Sequence, residues 1–382
     1  MRVTHVITRL IVGGAQENTV ATVLGLKRHP DIEVRLLTGP STGPEGSLES
    51  AFQECPQIPI LLPSLVRPLH PLKDALALLE LTRIFRATRP DIVHTHSGKA
   101  GILGRWAAHR AGVPVIVHTI HGPSFGPFQG SLANGLFQGA ERFAGKFTTH
   151  FVSVAGAMTR QYLAAGIGNP GQYTRIFSGF ALEPFLEARN DPEWRSRWNI
   201  APDDFVIGMI SRLFQLKGHD DLLDIAPNLV RQCPRAKFLL VGGGAWRERL
   251  EDRVRAMGMQ NRFVFTGLVA PGEIPRHLGI MDALAHLSRR EGLPRALPQA
   301  LAAGRPVAAY DCDGAGEVCV DNETGFLIRP GDREALTRRL LQLARDQELR
   351  ERLGQRGRQF VRERFAVEAM VESIYNLYQK LV

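Results

Sequence analysis

Residues 290 to 300 read Arg290-Glu291-Gly292-Leu293-Pro294-Arg295-Ala296-Leu297-Pro298-Gln299-Ala300, a carboxylate and two backbone-shaping residues placed just ahead of a short helix. Upstream, the apolar run from Met281 to Leu287 suits a buried parallel strand. Glu291 therefore falls at the carboxyl end of a strand, where open α/β sheets bind their ligands. The pattern predicts a helix over residues 295–303, stopped by Gly304. Amides at a helix start favour an anion such as a diphosphate, and an ionised carboxylate accepts hydrogen bonds from sugar hydroxyls. One loop could hold both halves of a sugar nucleotide.

Outward from this segment, short apolar runs alternate with helical patterns, the signature of βαβ units and a parallel sheet. Strands are expected near residues 3–8, 33–38, 91–95, 115–119 and 149–154, then near 205–210, 237–241, 262–266, 281–287, 306–309 and 325–328. That is one doubly wound sheet in each half, as expected of 382 residues, a length too great for one ordinary core. The junction is expected within residues 180–202, where Pro and charged residues intervene. Residues 39–71 form a long irregular stretch, and residues 122–130, with Pro123, Phe125, Gly126, Pro127 and Phe128, could fold partly over a site. Beyond Asp332 the chain reads as helical and Arg-rich, ending in a helix over 367–381.

Composition narrows the class. The chain is 44% hydrophobic and 22% charged, and has no apolar run long enough to span a bilayer and no signal peptide pattern. A cytoplasmic location follows as the expectation. Cys55, Cys233, Cys312 and Cys319 lie far apart without a C-x-x-C pair, which fits reduced thiols. The net charge is +9; residues 1–185 hold 17 Lys+Arg against 11 Asp+Glu, a net of +6. Such a surface attracts phosphates or anionic lipid. Nucleic acid is not an expected partner, because the arginines are scattered among acids and no basic and aromatic stripe is present.

The stretch around Glu291 resembles the E-x7-E signature of glycosyltransferase family 4, with Gln299 in place of the second glutamate. The likeness covers nearly the whole chain, through Gly13-Gly14-Ala15, His121-Gly122, Ser211-Arg212-Leu213 followed by Lys217-Gly218, and Gly314-Ala315-Gly316-Glu317-Val318. Each piece alone is weak; their order and spacing together are specific. The resemblance implies an α/β GT-B fold of two doubly wound, Rossmann-like parallel-sheet domains facing across a cleft. Residues 1–182 would bind the acceptor, with the helix 366–382 crossing back to them, and residues 183–365 the nucleotide sugar. It further implies a retaining, metal-independent hexosyl- or N-acetylhexosaminyl-type transfer from a nucleoside diphosphate sugar, a UDP-sugar being the expected donor, to a glycan or lipid-linked acceptor. No cofactor is implied. Reaction would proceed on one face of the sugar, with the leaving phosphate helping to deprotonate the acceptor hydroxyl. A lipid-linked acceptor and the basic first half together imply peripheral association with the inner face of a membrane.

By the same resemblance Arg212 and Lys217 would neutralise the departing diphosphate, a role cations share with magnesium elsewhere. Glu291 would contact sugar hydroxyls, Leu293 and Pro294 would line the donor, and Gln299 would meet the nucleotide ribose as a neutral acceptor. Glu317 would bond sugar hydroxyls or orient its glycine turn. Against these stand plain alternatives: solvated cations for Arg212 and Lys217, and helix-dipole carboxylates for Glu291 and Glu317. Gly14 opens the first helix, where a missing Cβ lets backbone approach a ligand, and Gly243 sits in a turn that is a donor contact or simply a tight turn. In the first half His121 would contact the donor sugar, while Lys99 and His96 would face the acceptor; a solvated Lys99 is the alternative. His94, His96, His118 and His121 lack an accompanying Asp-x-Asp or H-E-x-x-H, so no metal site is expected among them. Two rival functions keep the fold: a non-hydrolysing sugar-nucleotide epimerase and a non-catalytic nucleotide-sugar-binding protein.

Overall fold

The computed structural model describes all residues except Pro44, Glu45 and Pro127, so those three members of the two irregular segments lie outside the described residues. Two compact units make up the chain: Met1–Phe180 with Val367–Val382, and Ala181–Ala366.

The first unit runs β1 (Arg2–Arg9), α1 (Gly14–Leu26), β2 (Glu33–Gly39), β3 (Pro59–Leu61), α2 (Pro71–Thr88), β4 (Ile92–His96), α3 (Gly98–Ala111), β5 (Val115–Ile120), α4 (Ser131–Gly145), β6 (His150–Ser153), α5 (Gly156–Ala164) and β7 (Tyr173–Arg175). Its seven strands pair in parallel in the order β3-β2-β1-β4-β5-β6-β7. Parallel strands covered on both faces read as continuous apolar runs. Here Val3, Ile7, Ile92 and Val117 pack on the α1 side, and Val6, Val93 and Ile116 pack with Ala77, Leu81 and Ala107 on the α2 and α3 side. The edge strands β3 and β7 escaped the sequence reading. Each has three residues, too few to show a period, and β3 starts at Pro59, which an edge tolerates.

The second unit runs α6 (Glu183–Leu186), α7 (Pro192–Arg197), β8 (Phe205–Ile210), α8 (His219–Gln232), β9 (Ala236–Val241), α9 (Arg247–Ala256), β10 (Phe263–Gly267), α10 (Ile274–Gly279), β11 (Ala283–His286), α11 (Ala296–Ala302), β12 (Val307–Tyr310), β13 (Gly325–Ile328), α12 (Arg333–Arg345) and α13 (Gln347–Arg364). The six strands, again all parallel, lie in the order β10-β9-β8-β11-β12-β13. β11 is shorter than the apolar run predicted: Met281 closes a turn onto Leu278, and its sulfur fills the space beside Gly208, where a Cβ would stand 2.0 Å away. The last helix, α14 (Val367–Leu381), belongs to the first unit, burying Met370, Val371, Ile374, Leu377 and Tyr378 against α1 and the sheet.

Both sheets wind outward from a central pair, β1 and β4 in one, β8 and β11 in the other. The connections leaving such a pair diverge to opposite sides and open a crevice at the strands' carboxyl ends.

Candidate functional site

In the second unit that crevice is framed by the loops after β8, β11 and β12. The first, Ser211 to Gly218, passes the end of β11 so closely that only glycine fits: Gly218 has φ 78°, and a Cβ there would lie 2.2 Å from the Leu287 carbonyl oxygen. Leu216, at φ 70°, is a non-glycine residue in the left-handed region, a conformation sustained only where the surroundings over-determine it. Its carbonyl accepts from the Arg289 amide at 2.8 Å, which binds the first loop to the second. The second loop is tied to the third in turn, as the Glu291 amide donates to Asp313 Oδ2 at 2.7 Å and the Gly314 amide to the Gly292 carbonyl at 3.1 Å.

These ties bring Lys217 and Glu291 together: the ammonium donates to Glu291 Oε1 at 2.5 Å, with both side chains half-buried. Burial works to raise the Glu291 pKa, but Lys217, then His286, outweigh it and hold the carboxyl below its ordinary range. His286, at the end of β11, places Nε2 at 3.6 Å from the same Oε1 and is pushed down to about 4 by burial, with Lys217 adding to the effect and Glu291 opposing it. The site is therefore a neutral imidazole, a carboxylate and an ammonium within one crevice. Arg212 lies exposed on the same loop as Lys217, its guanidinium 5.9 Å from the Phe214 ring centre.

The remaining residues singled out in this half divide in two. Leu293, Gln299 and Glu317 are half-buried, and the Gln299 side chain makes no protein hydrogen bond among the described residues. Pro294 is buried and its carbonyl accepts from the Leu297 amide at 3.3 Å, so it shapes the loop into α11 rather than lining open space. Glu317 ends a single turn of 3-10 helix, its amide donating to the Gly314 carbonyl at 3.1 Å. Gly243 accepts from the Leu213 amide at 2.9 Å in a tight turn packed on the Arg212 loop. The glycines that turn requires are its neighbours: a Cβ at Gly242 would lie 2.1 Å from Ser211 O, and one at Gly244 2.4 Å from Leu213 O. Asp313 and His286 were missed in the sequence. Asp313 stands one residue before the quoted glycine turn and has φ 50°, while His286 reads simply as the end of an apolar strand.

In the first unit, Gly14 is the first residue of α1, and a Cβ there would meet nothing within 4 Å. Lys99 is not solvated. It pairs with Asp74 Oδ1 at 2.5 Å and donates to the Pro68 carbonyl, with its side chain 11% exposed, so its charge is already matched. His96 does not face an acceptor. It is buried behind His121, its Nδ1 bonded to His121 Nε2 at 3.0 Å, because the 94 and 96 positions of β4 point to the α14 side of the sheet. His118 points to the opposite face, beside Gly101 of α3, and is not part of their group. His121 is half-buried, and burial pushes its ring down to about 3.

His5 of β1 joins His94 and His96, and one ring nitrogen from each lies within 4.8 Å of the others, close enough to share an ion. The sequence reading left His5 out. The chemistry of this donor set fits an ion poorly: His5 Nδ1 and His96 Nε2 point at each other 2.9 Å apart as donor and acceptor, and the three rings, all buried, have no carboxylate among them to balance a divalent charge.

Two parallel-sheet, Rossmann-like units, the second carrying a cation and carboxylate pair at the point where its sheet reverses, define the GT-B class of glycosyltransferases. Residues 13–176 match the glycosyl transferase 4-like domain and residues 190–360 match glycosyl transferases group 1. The chain belongs to glycosyltransferase family 4. It is 28% identical over 325 residues to the UDP-Gal:alpha-D-GlcNAc-diphosphoundecaprenol alpha-1,3-galactosyltransferase of Escherichia coli, covering 84% of this chain and 83% of that one. To the GDP-mannose-dependent alpha-(1-6)-phosphatidylinositol monomannoside mannosyltransferase of Mycolicibacterium smegmatis it is 30% identical, over 66% of each. Its fold matches that of Anabaena HepE in complex with UDP and glucose at a TM-score of 0.83, with 22% identity and full coverage of both chains.

Proposed function

We propose that this glycosyltransferase moves a hexose or N-acetylhexosamine from a UDP-sugar to a lipid-linked or polysaccharide acceptor, with retention of anomeric configuration and without a metal. The observation that carries this reading is the Lys217 and Glu291 pair at the switch point of the second sheet. Each partner holds the charge the other lacks, and a nucleotide sugar offers replacements for both. Its diphosphate would take the place of Glu291 on the ammonium, and its sugar hydroxyls would take the place of Lys217 on the carboxylate. Arg212, from the same loop, adds a second cation where negative charge grows as the bond from C1 to the phosphate oxygen breaks. The acceptor oxygen bonds to C1 on that same face, and its proton passes to the departing phosphate oxygen. No protein carboxylate is needed as nucleophile.

A membrane-facing acceptor is favoured by the surface of the first unit. Leu69, Leu72, Leu76 and Leu79 are between 53% and 74% exposed along α2 and its approach, and Leu132 and Leu136 of α4 are 89% and 64% exposed. No helix among the described residues is long and apolar enough to cross a membrane, so contact through these side chains would be peripheral.

The test is release of nucleotide from UDP-galactose, UDP-glucose and UDP-N-acetylglucosamine, with GDP-mannose as the contrasting donor, in the presence of a sugar linked through diphosphate to a polyprenol. Transfer from a UDP-sugar that persists in EDTA and gives an α-linked product from an α-donor is the expected result. Conversion of the donor without acceptor would identify an epimerase, and binding without turnover of any donor a non-catalytic protein.

A further inference from the structure

The histidines at the β1 and β4 switch point of the first unit are joined into one line. His121 Nε2 meets His96 Nδ1 at 3.0 Å, His96 Nε2 meets His5 Nδ1 at 2.9 Å, and His5 Nε2 meets the Tyr378 hydroxyl at 3.4 Å. The same hydroxyl is in short contact with His94 Nδ1, and His94 Nε2 ends the line on Thr119 Oγ1 at 2.6 Å. All members except His121 are buried. A neutral imidazole has one donor and one acceptor nitrogen. The Tyr378 oxygen could accept from both of its histidines, but its own buried hydrogen, which has no other partner among the described residues, would then lack an acceptor; the phenol therefore gives one bond and takes the other, and every link points the same way.

Thr119 decides which way. Its hydroxyl has no hydrogen-bond partner other than His94 among the described residues. If His94 donated to it, the hydroxyl hydrogen would be left buried without an acceptor, which is the unfavourable arrangement. Thr119 thus donates to His94, His94 to Tyr378, Tyr378 to His5, His5 to His96, and His96 to Nε2 of His121. The proton of His121 is then on Nδ1, the nitrogen that makes no protein hydrogen bond among the described residues.

We propose that this directional chain, anchored at Thr119 and closed by Tyr378 of α14, fixes His121 as a neutral Nδ1–H donor available to an oxygen of a bound ligand. The assignment excludes His121 as the general base, since its free nitrogen offers a proton and no lone pair. Thr119, His94, Tyr378, His5 and His96 are positioning residues. Burial depresses the pKa of every histidine in the line, which keeps the rings neutral as the chain requires. That the oxygen belongs to a glycosyl acceptor or donor rests on the function proposed above; the tautomer does not.

Long-range proton–nitrogen correlation spectra of the ligand-free, 15N-histidine-labelled protein distinguish the two neutral tautomers, with His121 assigned through His121→Asn. At neutral pH the wild-type ring should be the Nδ1–H form, and Thr119→Ser should keep it. Thr119→Val and Tyr378→Phe, which remove the directing hydroxyl or cut the line, should each give a mixture in which the Nε2–H form reaches about half, because the far nitrogen no longer fixes the tautomer. An Nε2–H ring in the wild type overturns the proposal. So does an Nδ1–H ring unchanged in both disrupting variants, which would mean that His121 is fixed locally. Because the readout needs no ligand, absence of sugar transfer would count against the proposed reaction and leave this result standing.

Discussion

Lys217 and Glu291 are worth more as a pair than either is alone. Removing the ammonium leaves a carboxylate with burial opposing its charge and without its closest ionic partner. Lys217→Ala and Arg212→Ala should each lower turnover at saturating donor by about 10²–10³, the loss expected when charge developing on a leaving group goes unmet. Circular dichroism should show both variants folded; near-normal turnover in either would remove that residue from the reaction. Gln299 is the single departure from the family signature, and its side chain has no protein hydrogen bond among the described residues to hold it away from a ligand. A charge-assisted bond contributes about 1.5–3 kcal/mol against about 0.5–1.5 for a neutral one. Gln299→Glu should therefore tighten nucleotide binding by roughly 3- to 20-fold, measured by titration calorimetry. Unchanged or weaker affinity would show that position 299 does not meet the ribose, or that the site is built around an amide.

At the scale of elements, α2 combines two incompatible faces. Ala77, Leu78, Leu81 and Phe85 pack into the core, while Leu72, Leu76 and Leu79 are exposed. Exposed leucines at helical spacing add nothing to the core, so replacing all three with serine should change stability little. If α2 meets a membrane, the same change should strongly reduce co-flotation with anionic vesicles at low salt, where surface charge is least screened. Equal flotation of wild type and variant would exclude α2 as the contact, and no flotation of the wild type would point to a soluble acceptor.

For the molecule as a whole, the buried histidines make stability depend on pH. His5 and His121 are pushed down to about 3, and His94, His96 and His118 well below the ordinary value of 6.5. In the unfolded chain these rings take up protons below about pH 6.5, whereas the folded ones stay neutral. The unfolded state thus binds more protons throughout this window. Stability is fully present above about pH 6.5 and declines as pH falls toward the folded values, by about 1.4 kcal/mol per pH unit for each ring fully engaged. Calorimetry at about pH 7.5 and pH 5.5 should show the first unit melting well lower at the acidic pH; coincident traces would mean that the rings are not held neutral by burial.

Much of this was legible in the sequence, because parallel strands buried on both faces and glycine-bearing turns at their ends are local patterns. The strand and helix alternation, the placing of Glu291 past a strand, and the likeness carried by His121, Arg212 and Lys217 needed no coordinates. What the sequence could not decide was which side chains meet. Lys217 and Glu291 stand 74 residues apart and become partners only because β8 and β11 are neighbours. Lys99 could be read as free until α2 supplied Asp74, and His96 as an acceptor contact until strand register turned it inward behind His121. His5 showed no signal at all, being one of several polar residues in β1; pairing opposite His94 and the return of Tyr378, 373 residues further along the chain, made it part of a chain of hydrogen bonds. Patterns of period two and 3.6 are set by neighbours along the backbone, whereas a hydrogen bond between distant residues exists only once sheet order, register and the returning helix have been fixed.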